Sequence, residues 1–193
     1  HILDIAENSV AARARNVFIS VCEDLQADRL MAVIQDDGQG MDAQMVAQVT
    51  DPFVTSRTTR KVGLGIPLFK AAAEACNGSM KIISAPGQGT RLEATFQRSH
   101  IDRMPLGDLD GTLLTLLVAY PDIHWRFEYL ACLPGNGHRK AFVFDDKPIK
   151  EELQELPLCN PQVLAFLRDY LKQGVAEIQL AIQETEETTS RSF

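Results

Sequence analysis

A short apolar run, Leu30-Met31-Ala32-Val33-Ile34, stops abruptly at Asp36-Asp37-Gly38-Gln39-Gly40-Met41. This break constrains the chain more than any other feature. It places a carboxylate at a strand end and removes side chains just beyond it, at Gly38 and Gly40. Taken alone, D-x-G-x-G is an ordinary solvent turn. It gains weight from Asp4-Ile5-Ala6-Glu7-Asn8-Ser9, Asp51-Pro52-Phe53 and Gly63-Leu64-Gly65, which flank it in the chain. In this order and at this spacing, the segments read as one nucleotide pocket.

Local pattern supplies the elements around them. Ile2, Leu3, Ile5, Ala6 and Val10 make an apolar stripe, and the alanines that follow favour helix, so residues 1–15 are expected to be helical. Asp4 and Asn8 lie one turn apart and share a face of that helix. Alternation predicts strands over 17–22 and 30–35, and Asp42 can cap a short helix. Residues 50–62 have no periodicity and read as a loop. A helix is expected over 65–76, with Pro67 in its first turn and Asn77-Gly78 as its stop. Residues 79–84 and 90–96 then pair as a hairpin. The expected fold class is α+β: a two-layer α/β sandwich, with a mixed sheet and helices on one face.

Further along, helices are expected over 109–119, 150–156 and 161–182. Residues 124–130 and 140–144 read as a hairpin, and a frayed polar tail begins near 184. The organisation expected is an ATP-binding domain, 1–98, with a smaller C-terminal α/β extension, 99–193, packed on it.

The chemistry of the segments is complementary. Asp36, at a strand end, can accept from the exocyclic amine of a purine, while Gly38 and Gly40 let the backbone come close to the base, and Met41 beside them is a further candidate nucleotide-binding residue. Asn8 offers a neutral amide oxygen to a divalent cation shared with phosphates. Gly63, Leu64 and Gly65 open a helix whose free N–H groups and dipole suit phosphate. Thr55, Ser56, Arg60 and Lys61 can close over the terminal phosphate. Asp4, a turn before Asn8, can position or deprotonate a nucleophile. No P-loop occurs, and no Ser/His/Asp grouping is suggested.

Composition narrows the partners. A net charge of −7 argues against nucleic acid and anionic membranes, both of which favour a basic surface. The four cysteines show no metal-ligand spacing and read as reduced thiols of a cytoplasmic protein. No apolar run approaches the roughly 18 residues of a spanning helix. Opening on His1-Ile2-Leu3 without a start methionine, the chain reads as having lost an upstream piece.

Together these motifs resemble the gyrase, heat-shock chaperone, histidine-kinase and mismatch-repair ATPases, the GHKL superfamily with its Bergerat fold. The resemblance covers residues 1–97. Asp4 to Ala12 is similar to the asparagine box, placing Asn8 at the magnesium position and Asp4 at the catalytic-base position. Asp36 to Gly40 resembles the first glycine box, Asp51-Pro52-Phe53 the phenylalanine box, and Gly63-Leu64-Gly65 the second glycine box. Gly89-Thr90 resembles a pair whose threonine lies near the adenine. The base position holds Asp4 where hydrolysing members carry glutamate, and Ser99-His100-Ile101-Asp102 does not fit the H-[DE] phosphoacceptor pattern. The whole chain is similar to stand-alone bacterial ATP-binding proteins of anaerobes.

What the resemblance implies is Mg2+ and ATP as cofactors, and a histidine-kinase-like signalling module that phosphorylates or switches a protein partner, such as a response regulator. A slow ATPase with lid-driven homodimerisation and a non-catalytic ATP-dependent binding module are the alternatives.

Overall fold

In a computed structural model, residues 2–51, 64–135, 138–154 and 156–190 are described. One sheet runs through both halves of the chain in the order β3-β4-β2-β1-β5-β6. Its strands are β1 (Asn16–Asp24), β2 (Arg29–Asp36), β3 (Ser79–Ser84), β4 (Thr90–Gln97), β5 (His124–Cys132) and β6 (Arg139–Asp145). All neighbours are antiparallel except β1 and β5, which run parallel with Val17 beside Trp125 and Val21 beside Tyr129. The fold is therefore α+β, with a mixed sheet. Residues 1–98 contribute its first four strands, and β5 and β6 continue the same sheet instead of forming one of their own.

The helices are α1 (Ile2–Ala11), α2 (Ala43–Thr50), α3 (Gly65–Ala75), α4 (Leu109–Ala119), α5 (Asp146–Leu153) and α6 (Pro161–Ser190). Helix α1 packs on β2, α3 on β3 and β4, and α6 on β5 and β6, while α4 bridges α1 and α6. Period-two alternation decides which strand residues meet them. Val17, Ile19 and Val21 of β1, with Trp125, Phe127 and Tyr129 of β5, are buried in one continuous core. The opposite face carries Arg126, whose guanidinium lies 5.6 Å from the centre of the Phe18 ring.

Element ends depart from local propensity where a side chain intervenes. Helix α1 stops at Ala11, short of residue 15, because Arg13 adopts a φ of 59° and Asp37 then accepts from the N–H groups of Arg15 and Asn16. Helix α5 starts at Asp146, earlier than 150: Asp145 caps Lys147 N, and Pro148 is tolerated in the first turn. The segment from 184, expected to fray, is helical to Ser190. Glu186 anchors it through an ion pair with Arg98 at 2.6 Å. Among the described residues, no helix is long and apolar enough to cross a membrane.

Candidate nucleotide site

Four elements meet over a cavity of about 1210 Å³. Ile5 of α1, Ile34 of β2, Ile66 of α3 and Leu92 of β4 give it an apolar lining, and α2 adds Met45 and Val49. A flat aromatic ligand finds an apolar floor here. Polar residues also line the space, among them Asn8 from α1, Asp36 from the end of β2, Thr90 from β4 and Gln44 and Gln48 from α2. Among the described residues the Asn8 amide makes no hydrogen bond, so its oxygen is available to a ligand or cation.

Asp36 is held entirely by neutral donors. Ser9 Oγ donates to Oδ2 at 2.7 Å, and the backbone N–H groups of Gly38 and Thr90 donate to Oδ1 at 2.9 and 3.2 Å. A carboxylate has about four lone-pair sites, so accepting these three leaves capacity for one further donor. Its orientation is fixed while its charge is left uncompensated.

The turn beyond β2 is shaped by the protein's own backbone. Gly40 has a φ of +66°, and a Cβ there would lie 1.9 Å from the Ala85 carbonyl oxygen. Ser84 closes the loop: its Oγ accepts from Met41 N at 2.8 Å and donates to Gly89 O at 2.8 Å. With that proton committed, the Thr90 hydroxyl, 2.9 Å away, donates to Ser84 and keeps its own lone pairs open. Asp37 pins the outer side, accepting from Asn16 Nδ2 at 2.6 Å as well as from two backbone N–H groups. Burial opposes the charge on Asp37, but these bonds outweigh it and hold the carboxyl below the ordinary range.

Of the residues expected at the site, Asn8, Asp36, Gly40, Met41 and Thr90 line this cavity together. Gly38 lies behind it, with its N–H on Asp36. Leu64 and Gly65 open α3 beside the cavity rather than within its lining; among the described residues, α3 begins with no side-chain cap on its free N–H groups. Gly65 permits a close approach to α1, since a Cβ there would lie 3.2 Å from Asp4 Cβ. Asp4 is exposed beside that junction. Phe53, Thr55, Ser56, Arg60, Lys61 and Gly63 fall outside the described residues.

The sequence reading gave no role to Ser9, Asp37 or Ser84. Ser9 had a signal: it follows Ile5 by one helical turn, so a hydroxyl stands on the buried face of α1 and requires a partner.

The sequence comparison decides the family. A model described as histidine kinase-, DNA gyrase B-, and HSP90-like ATPase matches residues 2–100, half of the chain. The chain belongs to this family. As a histidine-kinase-like ATPase domain, it is similar to the cell-division control histidine kinase PdhS of Brucella ovis, 34% identical over 114 residues, covering 51% of this chain and 11% of the relative. The PdhS of Brucella abortus is 33% identical over the same length. The chain thus spans about a tenth of the curated relatives it matches. The ATPase domain of Aquifex aeolicus MutL, solved with ADP, superposes with a TM-score of 0.47 and 14% identity, over 80% of this chain and 65% of that one. This is an ATP-binding domain related to those of histidine kinases.

A second polar cluster lies at the start of α5. His124, Asp145 and Asp146 bring potential metal ligands within 4.8 Å of one another. Lys150 Nζ, 2.6 Å from Asp146 Oδ2, already supplies a cation there. Burial raises the Asp146 carboxyl above its ordinary range, opposed by that ammonium.

Proposed function

We propose that this chain is a Mg-ATP-binding signalling protein whose histidine-kinase-like domain, residues 1–98, phosphorylates or switches a protein partner, a response regulator or another regulatory protein, in the cytoplasm. The observation that carries this reading is the convergence on one apolar cavity of the Asp36 carboxylate, fixed by neutral donors, and the unbonded Asn8 amide. Asp36 accepts from the exocyclic amine of adenine, and Ile34, Met41 and Leu92 flank the ring. Asn8 fits a magnesium ion because a single neutral oxygen suffices where phosphates and water complete the octahedron; the ion would neutralise phosphate charge. The uncapped start of α3 faces the phosphates, and Asp4 is the candidate base. In this reading, Phe53, Thr55, Ser56, Arg60 and Lys61, which lie outside the described residues, are further nucleotide-binding residues.

Incubation with γ-labelled ATP and magnesium, with and without candidate partner proteins, tests the reaction. Label on a partner supports the kinase. Release of free phosphate alone selects the slow ATPase that dimerises with its lid, a reading favoured by the mismatch-repair character of Glu7-Asn8-Ser9. Bound but unreacted ATP selects the binding module, and no binding at all removes the assignment.

A further inference from the structure

Strand β6 forms one margin of the sheet, and among the described residues no strand pairs with its outer side. An open edge of this kind presents a row of unpaired N–H and C=O groups, which is a template for another strand. Beside it, α6 presses onto β6, with the ring of Tyr170 5.8 Å from that of Phe142 and 6.1 Å from that of Phe144. Tyr170 nevertheless stays 43% exposed. Phe166 stacks on it at 6.0 Å and is 57% exposed. Leu180, further along α6, and Val143, on β6, are 55% and 50% exposed. Phe166 and Tyr170 thus form an exposed aromatic pair beside the unpaired margin, with Leu180 further along the same helix and Val143 on the other face of β6. Exposed apolar side chains of this kind are associated with association surfaces.

We propose that a second copy of this chain covers this margin, with β6 pairing antiparallel to its mate across a two-fold axis and α6 crossing α6 beside it. The pattern of both elements is self-complementary, which an isologous interface requires. On β6, basic Arg139 and Lys140 stand at one end and acidic Asp145 at the other. Antiparallel pairing centred on Phe142 sets Arg139 opposite the partner's Asp145 and Val143 opposite the partner's Ala141. The reversed, parallel arrangement would bring like charges together instead. On α6, the exposed residues Phe166, Tyr170, Gln173, Glu177 and Leu180 form one stripe, nearly symmetric about Gln173. An antiparallel crossing centred there places Phe166 against the partner's Leu180, and Tyr170 near the partner's Glu177. The nucleotide cavity opens elsewhere, among α1, α2, β2 and β4, so this association does not depend on the reading of that site.

Sedimentation velocity on the nucleotide-free chain tests the proposal. The expected result is a species of twice the chain mass. Val143→Lys places like charges near the axis, and Phe166→Glu removes the aromatic contact; each is expected to weaken the dimer at least about tenfold. Both positions are exposed, and far-UV circular dichroism with ATP affinity checks that the variants fold and keep the separate site. Should Val143→Lys misfold, Phe166→Glu decides. A monomeric wild-type chain, or a dimer unaffected by Phe166→Glu, overturns the proposal.

Discussion

Two carboxylates stand at opposite ends of the β1–β2 hairpin, on the same helix-covered face. Asp36 pairs across to Val17, and Glu23 to Leu30. Asp36 meets only neutral donors and an open cavity. Glu23, 6% exposed, is sealed in: Arg98 Nε contacts its Oε2 at 2.6 Å, and the Tyr129 hydroxyl donates to Oε1 at 2.7 Å. Arg98 also reaches Glu186 of α6 at 2.6 Å. Burial opposes the Arg98 charge, but bonds to Glu186 and Glu23 outweigh it and raise its affinity for the proton. Burial and the neighbouring Glu23 charge push the Tyr129 hydroxyl upward, so it remains a neutral donor. A strand-end acid thus has two fates. Compensated by a cation, it holds the fold together; oriented by hydroxyls and amides, it keeps its charge for a ligand.

The sharpest way to break this contrast is at the sealed end. Arg98→Ala leaves Glu23 buried without its cation, and stability should fall by about 3–5 kcal/mol, measured by urea denaturation. A loss under about 1 kcal/mol would place the pair among weak surface bridges. At the open end the order reverses. Asp36→Asn turns one acceptor oxygen into a donor facing adenine, and ATP affinity should drop roughly ten- to hundredfold in calorimetric titration, with stability little changed. Asn8→Ala should remove the magnesium dependence of that affinity, about tenfold; an unchanged magnesium response assigns the ion to other groups. Ser9→Ala releases only the orientation of Asp36 and should cost about 1 kcal/mol of binding, or roughly fivefold.

The smallest effect concerns acidity. The Asp37 carboxyl is held below its unfolded value, so its contribution is present above the ordinary carboxylate pKa and is lost as pH falls through the depressed folded value. Asp28 behaves alike, held down first by the Ser99 hydroxyl and then by the Gln97 amide. Thermal melts below about pH 4 should therefore fall less steeply in Asp37→Asn than in the wild-type chain. Parallel slopes would show that the loop clamp carries no titrating stability.

Much of this architecture was legible from alternation and helical phase. Val17, Ile19 and Val21 announce a half-buried strand, and Asp36, Gly40 and Thr90 already stand at element ends. What escaped was set by distant partners. The end of α1 depends on Asp37, far along the chain, and the persistence of α6 to Ser190 depends on Arg98 reaching Glu186. The parallel register of β1 on β5 leaves no local trace, because it is written in no turn and no spacing. Ser9 was readable as an amino acid on the wrong face of its helix, but its partner was not.

That parallel pairing has a consequence for how the molecule is made. Strand β1 sits inside the sheet only because β5, roughly a hundred residues later, lies down beside it. As the chain leaves the ribosome, the ATP-binding half is complete in sequence while β1 still has a naked flank of apolar residues. Trp125, Phe127 and Tyr129 of β5 arrive later and close it. A truncation near residue 100 would therefore expose a sticky seam, and the second half acts as a built-in cover for the first.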